Sequence, residues 1–187
     1  MRSLTRMKSL AAMLLAVATL CAGCSPPTRP LPTVAKVDLR RYGGLWFEIA
    51  RLPNPFQRSG AVATAEYTPQ PDGTVKVRNT ELRANGNSKV IEGSALAVAG
   101  SGDARLKVKF GGLAALAPVP QSGNYWIIAL EPDYSAALVG TPDRKFLWLL
   151  ARSQKLPAAT RTRLVNRAAE LGFPVERLLI GDWSRLP

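Results

Sequence analysis

Eight short apolar segments, each closed by a turn signal, dominate the chain between residues 45 and 152. They are Leu45–Leu52, Ala61–Tyr67, Thr74–Leu82, Lys89–Ala99, Arg105–Phe110, Asn124–Leu130, Ser135–Gly140 and Lys145–Arg152. Pro71-Asp72-Gly73, Ala84-Asn85-Gly86-Asn87, Gly100-Ser101-Gly102-Asp103, Gln121-Ser122-Gly123, Glu131-Pro132-Asp133 and Thr141-Pro142-Asp143 break the chain between them, as turns do. In Thr74–Arg78 and Arg105–Phe110 apolar and basic residues alternate strictly, so Val75, Val77, Leu106, Val108 and Phe110 share one face and the bases the other. Such strands have one dry face and one wet face. Eight of them joined by short turns suit an antiparallel up-and-down barrel, which closes its own edges and leaves room inside for a small ligand. A β-sandwich fits the same spacing.

One segment departs from the strand pattern. In Ala158–Leu171 the residues Leu164, Val165, Ala168 and Leu171 recur at helical spacing, opposite Arg161, Arg163, Arg167 and Glu170. Pro157 suits the entry and Gly172 the exit. An all-β fold with one C-terminal helix packed on its outside is therefore expected, and the helix arginines read as a solvated face.

The first 23 residues read as an export signal. Met1–Lys8 carries three positive charges, and the uncharged Ser9–Gly23 that follows is shorter than the ~20 residues a membrane-spanning helix needs. Leu20-Cys21-Ala22-Gly23-Cys24-Ser25 resembles the lipobox of bacterial lipoproteins, although Cys21 stands where leucine is usual. Cleavage after Gly23 is expected to leave an acylated Cys24, palmitate among its chains, as a membrane anchor. By the same resemblance, Ser25 after the cysteine points to the outer membrane. Residues 24–33 contain Pro26, Pro27, Pro30 and Pro32 and read as an extended tether of ~25–30 Å at ~3.1 Å per residue. The folded domain is expected over residues 34–187.

Composition removes several classes of chemistry. The sequence of 187 residues has no histidine, which excludes histidine-dependent triads, His-ligated haem and most ordinary zinc or non-haem iron sites. Loss of Cys21 and acylation of Cys24 would leave no free thiol, so neither a disulfide framework nor a cysteine nucleophile is available. No catalytic residue, cofactor or metal is assigned. Removal of residues 1–23 lowers the formal charge from +12 to +9. For an exported chain, anionic lipid headgroups rather than nucleic acid are the polyanion it meets.

Three blocks then narrow the fold. Asp38-Leu39-Arg40-Arg41-Tyr42-Gly43-Gly44-Leu45-Trp46-Phe47-Glu48-Ile49-Ala50-Arg51-Leu52-Pro53 strongly resembles the opening motif of lipocalins. Tyr125–Gly140, with its Asp133-Tyr134 pair, resembles a lipocalin hairpin, and Phe146–Arg152 resembles the last strand with its terminal arginine. With Leu171-Gly172-Phe173 and Leu178-Leu179-Ile180 added, the likeness spans about residues 34–180 and is nearest to outer-membrane lipoprotein lipocalins and their apolipoprotein D-like relatives. Phe47 and Ala151 stand where the family usually has Tyr and Ser. The connection Gly111–Gly123 is longer and more apolar, and its Leu113, Leu116, Val119 and Pro120 read as a lid, a membrane-facing patch or a spacer.

The resemblance implies an eight-stranded up-and-down barrel. Gly43 and Gly44 would turn the chain across its closed end and Trp46 would plug that end, with the Arg152 cation against the indole. Glu48 shares the parity of Trp46 and is read as a buried carboxylate paired with an arginine, a polar anchor for a ligand being the other reading. Parity turns Ala63, Ala65, Tyr67, Val75, Val77, Leu106, Val108 and Phe110 inward. The resemblance adds Tyr125, Ile127, Val139, Phe146 and Trp148. Small Ala63, Ala65, Ala95 and Ala97 beside a few large aromatics point to an interior that is not filled.

The expected ligand-binding set is therefore Ala63, Tyr67, Val77, Ala95, Val108, Phe110, Tyr125, Ile127, Val139, Phe146 and Trp148. The function expected is that of a non-enzymatic, outer-membrane-anchored carrier facing the periplasm. It would hold the tail of a fatty acid, lysophospholipid or similar amphiphile in the barrel and the head group at a basic mouth. Roles in envelope lipid transport, maintenance or stress come from the resemblance alone. The alternative is an envelope interaction lipoprotein whose barrel is packed shut.

Overall fold

The computed structural model describes residues 30–112 and 118–185. The eight anticipated strands form β1 (Gly44–Arg51), β2 (Val62–Pro69), β3 (Val75–Leu82), β4 (Ser88–Ala97), β5 (Arg105–Phe110), β6 (Tyr125–Leu130), β7 (Ala136–Gly140) and β8 (Leu147–Ala151). Each pairs antiparallel with its neighbour in sequence, and β1 pairs with both β2 and β8. The sheet thus closes into an eight-stranded up-and-down barrel. The anticipated helix is α2 (Ala158–Glu170). Two elements were not read from the sequence: α1 (Leu39–Tyr42), capped by the Asp38 carboxylate accepting from the Arg40 and Arg41 amides, and β9 (Leu179–Ile180), which pairs with β1.

Two apolar clusters flank the barrel wall. The inner one includes Tyr42, Trp46, Tyr67, Val77, Leu106, Val108, Ile127 and Val139. The outer one joins Ile128, Leu138, Leu147 and Leu149 to Leu164 and Ala168 of α2. This explains why β6 to β8 are apolar at both parities: one face looks into the barrel and the other is roofed by the helix. Leu31 also belongs to the outer cluster and is only 2% exposed. Packing therefore begins at Leu31, inside the segment assigned to the tether, because a leucine beside an apolar wall gains more from burial than an extended spacer gains from solvation. The signal segment 1–23, Cys24 and the tether up to Arg29 lie outside the described residues.

The two ends of the barrel differ. At the closed end α1 crosses beneath the strands, Gly44 takes φ of +85°, a conformation favouring glycine, and Trp46 is fully buried. At the open end β5 and β6 share only the pairs Arg105–Trp126 and Leu106–Tyr125. Above these the Asn124 side chain replaces the ladder, accepting from the Val108 amide at 2.8 Å and donating to its carbonyl at 2.9 Å. The wall thus parts toward the mouth without leaving Val108 unpaired.

Candidate functional site: a cavity in the barrel

A cavity of about 430 Å³ opens from the mouth of the barrel, within the ~300–1,000 Å³ usual for small-molecule sites. Of the expected set, Ala63, Tyr67, Val77, Val108, Phe110, Tyr125, Phe146 and Trp148 line it. Ala95, Ile127 and Val139 do not. They are at most 1% exposed within the inner cluster, because neighbouring side chains cover the inward face at their level.

Two buried tyrosines, Tyr42 and Tyr67, and the half-buried Tyr125 form the polar part of the floor. The Tyr125 hydroxyl lies 2.7 Å from that of Tyr42 and 2.8 Å from that of Tyr67. Burial raises the pKa of all three, so they stay neutral and each proton can be shared within the chain of hydroxyls. Beneath them the Trp46 indole donates to the Tyr42 carbonyl at 2.8 Å. The Arg152 guanidinium stacks 3.9 Å from the Trp46 ring centroid. Its Nη1 donates to Leu45 O at 2.8 Å, and its Nη2 to the carbonyls of Arg41, Tyr42 and Gly43 at 2.8, 3.1 and 2.7 Å. The Gly44, Trp46 and Arg152 arrangement is therefore a plug, tied by one cation to the chain that crosses the barrel's end.

Near the mouth an aromatic group adjoins a polar one. Phe56, in the β1–β2 loop, packs on Phe146 and Trp148 at centroid distances of 5.3 and 6.4 Å. Beside them, on the strand where Arg51 pairs with Trp148, a bulge in β1 between Glu48 and Ala50 lets Glu48 and Arg51, three residues apart, share the inward side, which a regular strand forbids. Arg51 Nε lies 3.5 Å from Glu48 Oε1, and both side chains are buried. This is the buried carboxylate–arginine pair expected for Glu48, but Glu48 also borders the cavity.

The β1–β2 loop is fastened to the same wall. Gln57 donates to Glu48 at 2.8 Å, the Arg58 amide donates to Glu81 at 3.0 Å, and Arg51 donates to the Arg58 carbonyl. The mouth is not basic as expected: its charged lining residues are Glu48, Glu81, Lys89 and Lys109. Asn79 and Glu81 continue the inward parity of Val75 and Val77, yet as polar residues they carried no signal of an interior position. Phe56, Gln57, Pro118 and Val119 come from loops, which have no periodicity to read. Val119 of the long connection thus borders the cavity, whereas Leu113 and Leu116 lie outside the described residues.

Burial, opposed by Arg51 and Gln57, pushes the Glu48 pKa up to about 7. Between the unfolded carboxyl value and that figure the folded chain keeps a proton the unfolded chain has released. Stability contributed by this proton is full below pH ~4.5 and is lost as pH rises through 7. We expect wild-type unfolding free energy to fall by about 2–3 kcal/mol more than that of Glu48→Gln between pH 5 and 8, measured by urea denaturation. Equal slopes would contradict the burial argument.

Residues 37–181 match the family model described as a lipocalin-like domain. The chain is 41% identical over 152 residues to temperature-induced lipocalin-1 of Arabidopsis thaliana, covering 80% of this chain and 81% of that protein. It is 34% identical over 173 residues to outer membrane lipoprotein Blc of Escherichia coli K12, covering 91% and 92%, and 31% identical over 170 residues to apolipoprotein D of Macaca fascicularis, covering 88% and 84%. Insecticyanin of the tobacco hornworm Manduca sexta shares the fold at a TM-score of 0.58 and 20% identity, over 86% of this chain and 87% of that one.

Proposed function

The chain belongs to the lipocalin-like domain family, and from that premise we propose that it is a lipid-anchored carrier of the bacterial envelope that holds one single-chain amphiphile in its barrel. The observation that carries this reading is the cavity, apolar on its walls and bounded near the mouth by Phe56, Phe146 and Trp148. A fatty acid or lysophospholipid fits it, with the tail toward Tyr67 and Tyr125 and the head at a mouth of mixed charge. Burial of the tail drives binding at ~0.8 kcal/mol per CH₂, before the losses of association.

The anchor in this reading is acylated Cys24 with the proline-rich stretch behind it, and the membrane is the outer one, with the domain in the periplasm. Relatives named as outer membrane lipoproteins support that location. The work is binding rather than catalysis, in transport, maintenance or stress protection of envelope lipids. A barrel packed shut, acting only through its surface, is the reading that the cavity disfavours.

Titration of residues 30–187, the segment containing both apolar clusters, with a fluorescent fatty acid tests this. Saturable uptake of one ligand per chain, with quenching of tryptophan emission through Trp148 at the mouth, is the expected result. A folded protein that takes up none would overturn it.

A further inference from the structure

Two acceptors at the polar rim of the cavity, one on Glu48 and one on Asn79, have no hydrogen-bond donor among the described residues. Strand pairing sets Ala63, Glu81 and Lys89 in one inward row and Ala65, Asn79 and Ile91 in the row below, with Trp46 paired to Ala65 and Glu48 two residues further along β1. Glu81 is satisfied by the Arg58 amide and by Arg83. Glu48 is not: Oε1 accepts from Gln57 and faces Arg51, while Oε2 takes no hydrogen bond among the described residues. Asn79 Oδ1 is buried with no hydrogen-bond partner among the described residues. Both residues border the cavity; the buried Asn79 oxygen keeps the full penalty of its lost hydration, and Glu48 Oε2 is left to whatever enters the cavity.

We propose that this rim selects an amphiphile whose head group donates hydrogen bonds to Glu48 and Asn79, a hydroxyl or an amine, over the carboxylate of a fatty acid. The proposal rests on the carrier reading and specifies its ligand. At pH 8 a carboxylate brings acceptors only, so it would leave both oxygens unpaired and set a third negative charge beside Glu48 and Glu81. Lys89 and Lys109 are exposed, so water and salt screen what they offer an anion. Arg51 faces Glu48 but has given Nη2 to the Arg58 carbonyl, and Arg83 is held by Glu81. Arg51 Nε has no hydrogen-bond partner among the described residues, but neither Arg51 nor Arg83 lines the cavity, so neither offers a ligand carboxylate a hydrogen bond there. A hydroxyl head meets no charge opposition, whereas an amine also meets Arg51, which lets experiment separate the two donors.

The test is displacement of the fluorescent probe by 1-monododecanoylglycerol, dodecylamine and dodecanoate, which share one chain length. At pH 8 the glycerol ester, the amine or both should displace at concentrations about tenfold lower than dodecanoate, the value of one well-placed hydrogen bond. The gap should narrow at pH 6, where Glu48 takes up a proton and can donate to a carboxylate; Arg51 and Glu81 are the charged groups that act on it. Asn79→Leu should reduce the preference several-fold by weakening the donors, and Glu48→Gln should reduce it several-fold at pH 8 while strengthening dodecanoate, because it removes a negative charge and supplies an amide donor. If dodecanoate equals or surpasses both donors at pH 8, or if the preference survives both substitutions, the proposal is overturned and the carrier reading stands. Failure of the probe itself to bind would remove both.

Discussion

Trp46→Ala is expected to cost about 4 kcal/mol, within the ~3–5 kcal/mol seen for large-to-small changes at buried aromatic positions, and to lower the melting temperature by roughly 10–15 °C. The side chain is fully buried and joins three things at once: the Tyr42 carbonyl, the Tyr42 ring at 4.9 Å, and the Arg152 cation. Its loss leaves a void under the tyrosine floor and exposes the arginine that ties the closed end. Arg152→Ala should cost less, about 2–4 kcal/mol. It frees the carbonyls of Arg41, Gly43 and Leu45, which water at the barrel's end can partly satisfy. Because the two residues share one contact, the double substitution should fall short of the two single effects combined. Urea denaturation of the four proteins checks this, and full additivity would show that the stacked pair is incidental.

The second large effect concerns binding. Val108→Arg should reduce uptake of the fluorescent fatty acid by at least about a hundredfold, because it places a charged, bulky side chain in the space the tail needs and makes burial there unfavourable. Val108 is 6% exposed and lines the cavity, while its amide and carbonyl are held by Asn124, so the strand remains paired. Val90→Arg is the matching control. Val90 is 43% exposed and pairs with Thr80 on the outward side of β4, so uptake should not change. Circular dichroism of both variants separates lost binding from lost fold, and unchanged binding by a folded Val108→Arg protein would contradict the assignment of the cavity.

The strands were legible where one face is wet. In β3 and β5, lysine and arginine alternate with valine, leucine and phenylalanine, and period-2 alternation fixes which residues face in. In β6 to β8 both faces are dry, since α2 covers the outer one, so parity was silent there. The inward assignment of Tyr125, Phe146 and Trp148 came from the family resemblance. The α1 helix was missed because Leu39–Tyr42 is a single turn, too short to show a helical period.

The plug could be read from sequence because Gly44, Trp46 and Arg152 stand in a recognisable context. The polar rim could not. It depends on a bulge that turns Arg51 to the side of Glu48 and on a loop that returns Gln57 and Arg58 to the wall, both products of tertiary packing. The bulge is itself held from outside, where Gly181 donates to the Ile49 carbonyl and the Trp183 indole to that of Glu48.

Native mass spectrometry of the full, membrane-extracted protein bears most directly on the idea of a barrel built around a guest. One non-covalent lipid per chain, released on unfolding and absent from the Val108→Arg protein, is the outcome expected of a hollow, occupied interior. A wild-type chain that carries no such molecule after extraction, and acquires none from an added envelope lipid extract, would contradict it.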